Sequence, residues 1–358
     1  MSPSMGPRSV LVTAAHDESV RVWDPLDHRQ VDSIPVIKES QVNCISLSSM
    51  GDQHLQMVLG GYQWMRLYDM NHLTQPLHVF NVHERNVSTI GFNREGTWMY
   101  TGGEESTAKV WDLRASTVMC QRILQLQSSV NSIVLHPNQR ELLVADSTGG
   151  IYIWDIRTNR DDSLMTELNY TEFIVDLDID QDGKQVAAIT NKGSCFLYNN
   201  LQESMLNEGN SYDETELKAF GPAPSPTHIQ ADHRTTPVVK FKPHALYGLK
   251  CKFSHDGKML ATSAGDDTPK IWDLDVSSKN SLPLRENVQD FDDNGQINMK
   301  WIWGLAFSKS SRTLFTAGSD GAARSFDLSS IKNGATAKFA GHMKGITAMA
   351  LYDNGNIP

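Results

Sequence analysis

The sequence predicts an all-β fold: a seven-bladed β-propeller whose ring is closed by strands from both termini. Three observations predict it. First, a short apolar run ending in an aromatic residue and usually Asp occurs at 20–24, 65–69, 108–112, 151–155, 195–199, 269–273 and 323–327. The aromatic positions, Trp23, Tyr68, Trp111, Trp154, Tyr198, Trp272 and Phe326, are separated by 45, 43, 43, 44, 74 and 54 residues. Repeats of roughly 40–45 residues, each parsing into four short strands, are propeller blades that cannot bury their faces alone. Second, alternating apolar stretches between the runs are punctuated by turn residues, as half-buried strands require. Third, the first repeat lacks a polar residue that the last stretch of the chain supplies.

Taken in order, the elements follow from this pattern. In the first blade Thr13, Asp17 and Trp23 stand near the N-terminus with no His before them; His342 stands near the other end, followed by an apolar run at 346–351. Nine residues separate His342 from Leu351, the spacing also found from His83 to Phe92 and from His244 to Phe253. The last strand therefore completes the first blade, and closure hides strand edges that would otherwise pair with other chains. The third repeat reads as strands at 87–93, 98–102, 108–112 and 120–126, with turns at 94–96 and 103–106. Its polar set is His83, Thr101, Glu105 and Trp111, and the sixth repeat carries His244, Thr262, Asp266 and Trp272. In WD repeats, which these Trp-Asp endings resemble, such residues form a buried chain of hydrogen bonds; the resemblance implies one here, in which each member satisfies the next and the turns are stiffened.

The long intervals are insertions. Residues 202–236 carry six acidic and two basic side chains with Pro222, Pro224 and Pro226, a linker composition with too little apolar content to pack. The segment reads as a disordered insertion in blade five on the bottom face, either a partner-binding tether or a dispensable loop, with the outer strand resuming at 237–242. The second excess, 286–300, precedes Trp301-Ile302-Trp303, two indoles on alternate positions at the start of an inner strand. They serve either inter-blade packing or the top rim, where large aromatic side chains anchor interfaces.

Composition excludes several functions. One domain spanning 9–358 accounts for the chain. The net charge is −10, with no Lys/Arg run, which argues against nucleic acid as a ligand. Cys44, Cys120, Cys195 and Cys251 are far apart in predicted strands, so reduced thiols and a cytoplasmic setting follow, without a zinc site. The apolar run at 10–15 is too short for a signal-peptide core or a membrane span. No cofactor or metal is expected. The regular spacing of His83, His244 and His342 assigns them to structure, and no GxSxG, HExxH or phosphate-loop pattern is present, so no enzyme activity is expected.

Trp-Asp endings at this period resemble WD repeats. Several peptides go further: Ser40-Gln41-Val42-Asn43, Gly61-Tyr62-Gln63, Cys120-Gln121-Arg122-Ile123, Leu135-His136-Pro137-Asn138-Gln139 and Trp301-Ile302-Trp303-Gly304. Over about residues 9–353 the chain resembles the Lst-eight, or G-protein-β-like, family of small WD-repeat subunits of target-of-rapamycin (TOR) kinase complexes. The resemblance implies a non-catalytic scaffold. It would dock on the C-lobe of the TOR kinase domain, stabilise the kinase and support complex assembly and TOR signalling. Through the kinase it would meet the other subunits, with peripheral placement at endomembranes. The family's contact motifs map onto Gln41, Trp301 and Trp303. Residues before inner strands and in the turns between second and third strands collect Gln41, Asn43, Tyr62, Asn86, Trp301 and Trp303 on one face. An alternative is a substrate receptor of a cullin ubiquitin ligase, suggested by Trp111-Asp112-Leu113-Arg114 and Trp154-Asp155-Ile156-Arg157.

Overall fold

The structure, a computed structural model, describes residues 9–34, 41–50, 54–114, 118–164, 168, 171–199, 227–229, 237–274, 283–289 and 300–357. Among these the regular elements are β-strands and one 3-10 turn, Ile331–Asn333. Blade 1 pairs Ile346–Tyr352, Val10–Ala15, Val20–Asp24 and Arg29–Ile34, in that order from the axis outward. Blades 2 and 3 share one continuous strand, His78–Phe92. Its first part lies against Tyr62–Asp69, closing blade 2 after Cys44–Met50 and His54–Gly60. Its second part opens blade 3 against Trp98–Gly103, followed by Thr107–Asp112 and Met119–Gln125. The repeat pattern separates these two strands; here the backbone runs extended through the linker between them and merges two blades into one seven-stranded sheet.

Blade 4 comprises Val130–Leu135, Glu141–Asp146, Ile151–Asp155 and Arg160–Leu164. Blade 5 comprises Ile174–Ile179, Gln185–Thr190, Cys195–Asn199 and Val239–Phe241. Blade 6 comprises Gly248–Phe253, Met259–Ala264, Lys270–Asp273 and Leu284–Asn287. Blade 7 comprises Ile302–Phe307, Thr313–Gly318, Ala322–Asp327 and Ala337–Ala340. Each innermost strand touches the next around the axis, from Ile346–Tyr352 through the other six and back, so the ring is closed. Most of the insertion at 202–236 lies outside the described residues, as do 290–299. Within it, Thr227–Ile229 adds a parallel strand to the outer edge of blade 4 against Arg160–Asp162.

One backbone feature marks all seven blades as equivalent. The residue five places before the aromatic, at the entry to the third strand, is left-handed each time: Glu18, Gln63, Ser106, Gly149, Gly193, Asp267 and Gly321, with φ from 62° to 89°. Three of these are glycine, which adopts such φ freely; the other four accept the strain because the flanking strands fix the turn.

Burial peaks in the second strand of each blade and is least in the outer one. Second strands such as Trp98–Gly103, Met259–Ala264 and Thr313–Gly318 are buried at every residue, because a neighbouring blade covers each face. The outer Arg29–Ile34 is exposed at all but its last position. The core lies between blades, as in the cluster Leu143, Ile153, Leu177, Val186, Phe196 and Tyr198 between blades 4 and 5. At the seam joining the termini, Trp23 meets Phe339 edge-on with ring centroids 5.9 Å apart, beside Leu11, Phe315 and Ile357.

Adjacent inner strands do not share a backbone ladder, so side chains join them. Thr347 Oγ1 donates to Val42 O at 2.7 Å, Ser88 Oγ to Val130 O at 2.6 Å, and Asn131 Nδ2 to Ile174 O at 2.7 Å. Between blades 6 and 7 the link comes from a second strand, where Ser263 Oγ donates to Ile302 O at 2.9 Å. Each places a hydrogen bond between neighbouring blades.

Candidate docking face

Three hydrogen-bond chains fix the turns that form the top rim. In blade 6 Trp272 Nε1 donates to Thr262 Oγ1 at 2.9 Å, and the threonine hydroxyl lies 2.9 Å from His244 Nε2. His244 Nδ1 is 2.8 Å from Asp266. In blade 3 Trp111 donates to Thr101 at 2.9 Å, Thr101 meets His83 Nε2 at 2.8 Å, and His83 Nδ1 meets Glu105. Blade 1 is assembled from both termini: Trp23 to Thr13 at 2.8 Å, Thr13 to His342 at 2.8 Å, His342 to Asp17 at 3.2 Å. The polarity of each chain is dictated by its ends. Indole can only donate and carboxylate only accept, so the hydroxyl donates to Nε2 and a neutral imidazole donates from Nδ1.

Charge follows the same logic. Burial pushes His83 and His342 below the usual imidazole range, outweighing the pull of Glu105 and Asp17. Burial tends to raise Asp17, Glu105 and Asp266, yet hydrogen bonds from Ser19, His83 and His244 respectively lead the effects that hold them below the usual carboxylate range. A basic residue two places before the aromatic adds to this in two of these blades: Lys109 Nζ lies 3.3 Å from Glu105 and Lys270 Nζ 3.5 Å from Asp266. Each lysine also donates to the carbonyl preceding the histidine, at Val82 and Pro243.

A pH dependence results. The unfolded chain binds protons on these histidines at a higher pH than the folded ring does, so their contribution to stability is complete above about pH 6.5 and declines as pH falls below it. The depressed carboxylates add a second loss only below their ordinary range near 4. The thermal midpoint should fall between pH 7.5 and 5.5, and His83→Gln with His342→Gln should flatten that slope. An unchanged slope in the double variant would show that other groups titrate.

The candidate docking residues stand on this rim in two groups. Around blades 2 and 3, Asn43 Nδ2 donates to Asn86 Oδ1 at 3.1 Å and Asn86 Nδ2 to Glu104 Oε2 at 3.0 Å. Tyr62 lies opposite Asn86 in the strand register and is 54% exposed; Gln41 is exposed just ahead. Around blades 6 and 7, Trp301 and Trp303 have ring centroids 5.9 Å apart and are 44% and 37% exposed. Trp303 Nε1 donates to Ser319 Oγ at 2.9 Å, which fixes its rotamer. Trp301 lies over Gly265, where an added Cβ would come within 3.0 Å of the indole. Asn43 and Trp303, one from each group, line a single cavity of about 470 Å³ that runs down the central bore.

Sequence reasoning missed part of this face. Leu246, Tyr247 and Met343 also precede inner strands and are 53%, 38% and 90% exposed. The position rule that selected Gln41 and Trp301 selects them too; only their lack of a distinctive motif concealed them. Arg114, of the WDxR pattern, folds back onto its own Asp112 with Nε and Nη2 at 2.9 and 2.7 Å. The four cysteines are free thiols within strands. Among the described residues no helix is long and apolar enough to cross a membrane, and no cluster of metal-ligating side chains occurs.

The fold and its Trp-anchored turns define a WD-repeat propeller. The model of the WD domain, G-beta repeat, matches residues 74–112, 235–273 and 293–327. A crystal structure of the Myceliophteria thermophila Cps50 (Swd1) β-propeller domain superposes with a TM-score of 0.64, covering 86% of this chain and 88% of that one at 14% identity. The mouse protein named target of rapamycin complex subunit LST8 is 33% identical over 82% of this chain and 80% of its own. The target of rapamycin complex subunit wat1 of Schizosaccharomyces pombe is 34% identical over 75% and 76%. The subunit LST8 of Saccharomyces cerevisiae is 32% identical over 75% and 78%. The chain belongs to the LST8 family.

Proposed function

We propose that this chain is a non-catalytic scaffold subunit of a TOR kinase complex, working in the cytoplasm. It docks its top face on the C-lobe of the kinase domain, stabilises the kinase and, through it, meets the other subunits. Membership of a family whose relatives are named TOR complex subunits supports the assembly. The observation that carries the docking face is the pair of neighbouring indoles, held rigid yet left exposed at the rim. Two large side chains whose rotamers are fixed before binding lose little entropy on contact, and Trp is the residue type that dominates interface energetics.

The test is co-purification with the TOR kinase. Trp301→Ala should weaken association by about 2–4 kcal/mol, as truncation of a central aromatic anchor does. Gln41→Glu, which replaces an amide donor by a charge two blades away around the mouth, should also weaken it. Both variants should melt like the parent, since neither side chain is buried. Kinase recovered at parental level with both folded variants would reject the docking face; failure of the parent chain to recover kinase would reject the assembly.

A further inference from the structure

The central channel has two chemically different walls. Ile45, Leu305 and Met349 from blades 2, 7 and 1 form an apolar side, while Asp176, Asp178, Lys250 and Lys252 from blades 5 and 6 form a charged one. The charges join neighbouring inner strands. Asp176 Oδ1 accepts from Lys250 Nζ and Ser132 Oγ, both at 3.0 Å, and Oδ2 accepts from the Cys251 N–H at 3.2 Å. Asp178 accepts from Lys252 Nζ at 2.6 Å and from the Phe253 N–H at 2.7 Å.

These pairs are not symmetrical toward the channel. The Asp176 and Asp178 side chains are only 5% and 13% exposed, and their oxygens are already occupied. The lysine side chains are 40% and 36% exposed. An ammonium has three donors, and each lysine directs one at its aspartate, which leaves donors facing the channel. A chain of net charge −10 thus presents cationic donors on one side of its bore and apolar surface on the other. Lys250 and Lys252 line the same cavity of about 470 Å³ as Asn43 and Trp303, a cavity that runs down the bore to Arg94 and Gln139 at its other end.

We propose that the upper channel receives an acidic side chain carried by the docked partner, its carboxylate on Lys250 and an adjoining apolar side chain against Trp303 and Met349. The inference rests on the docking reading above and extends it from the rim into the bore. Lys250 is then a specificity determinant: partners with a neutral or basic tip leave its ammonium partly desolvated and unmatched, which disfavours them.

The experiment measures affinity of the full chain for the purified kinase against salt concentration. Lys250→Met with Asp176→Asn removes the charge without stranding its partner; Lys250→Gln removes it while keeping a donor toward Asp176. Both should bind about tenfold more weakly at low salt and with a shallower salt dependence, whereas Lys250→Arg should stay within about twofold of the parent. Melting of each variant checks the fold, and Lys250→Gln serves if the double variant does not fold. Charge-removed variants that bind like the parent, with the parental salt slope, overturn the inference while Trp303→Ala still weakens binding. If Trp303→Ala also binds normally, the docking reading falls instead. At matched ionic strength inorganic phosphate should compete no better than chloride; selective competition would assign the mouth to a free anion and overturn the acidic side chain.

Discussion

Removing residues 340–358 should abolish the sharp thermal transition of the ring. The deleted strand, Ile346–Tyr352, pairs with Val10–Ala15 from Tyr352 opposite Val10 to Ile346 opposite Ala15 and is the inner strand of blade 1. Its loss uncovers Val10–Ala15, buried at every position but the first, and breaks contact with the inner strands of blades 2 and 7. It also removes His342 from the Thr13 and Asp17 chain, and Ile357, 3% exposed, from the seam cluster. Burying one Ile or Leu is worth about 1.5–3 kcal/mol, so the loss is comparable with a total stability of about 5–15 kcal/mol. A scan of the truncated chain should show a broad, early transition with dye-accessible apolar surface. A permuted chain, in which 341–357 is linked ahead of residue 9, should recover the parental midpoint. The geometry allows it, since Ser9 Oγ already donates to Asn354 Oδ1 at 2.9 Å and Tyr352 lies beside Val10. A truncated chain with an unchanged midpoint would mean that the last strand does not hold the ring closed.

What could be read from residues alone was whatever repeats at a fixed offset. The spacing of ten residues from Thr13 to Trp23 recurs from Thr101 to Trp111 and Thr262 to Trp272, because a hairpin of fixed register sets it. The same regularity located the strand shared by the two termini. Contacts set by the assembled ring were not legible. Asp176 and Lys250 are 74 residues apart, and neither belongs to a motif; they meet only because blades 5 and 6 place their inner strands side by side. The pairing of Thr227–Ile229 with blade 4 was hidden for a related reason: three residues in a polar insertion carry no periodicity, and an exposed strand edge accepts almost any extended backbone. Exposure of the two tryptophans was also undetermined, since alternate positions on an inner strand fit a packed seam as well as a rim. The 3-D neighbours Gly265 and Ser319 decide it.

Blade 7 shows how the same turn is held when the usual partners are missing, and it carries the second large effect. Thr316 and Asp320 occupy the positions of Thr13 and Asp17, but the aromatic is Phe326, which has no N–H to offer. The turn is held instead by Arg324, two residues before the aromatic, where Arg21, Lys109 and Lys270 stand in other blades. Arg324 is fully buried, and its Nη2 lies 2.5 Å from Asp320 Oδ2, whose side chain is 13% exposed. In place of the histidine chain, the guanidinium makes a charge-assisted bond across the turn. Arg324→Met should therefore destabilise the protein by about 3–5 kcal/mol, the usual penalty for breaking a buried ion pair and leaving one charge behind. Adding Asp320→Asn removes the stranded charge and should restore a good part of that loss, although the packing of the guanidinium stays missing. Denaturant melts of the parent, both single variants and the pair form a double-mutant cycle. A single Arg324→Met variant as stable as the parent, or a cycle with no coupling between the two positions, would show that Phe326 and its neighbours hold the turn without the ion pair.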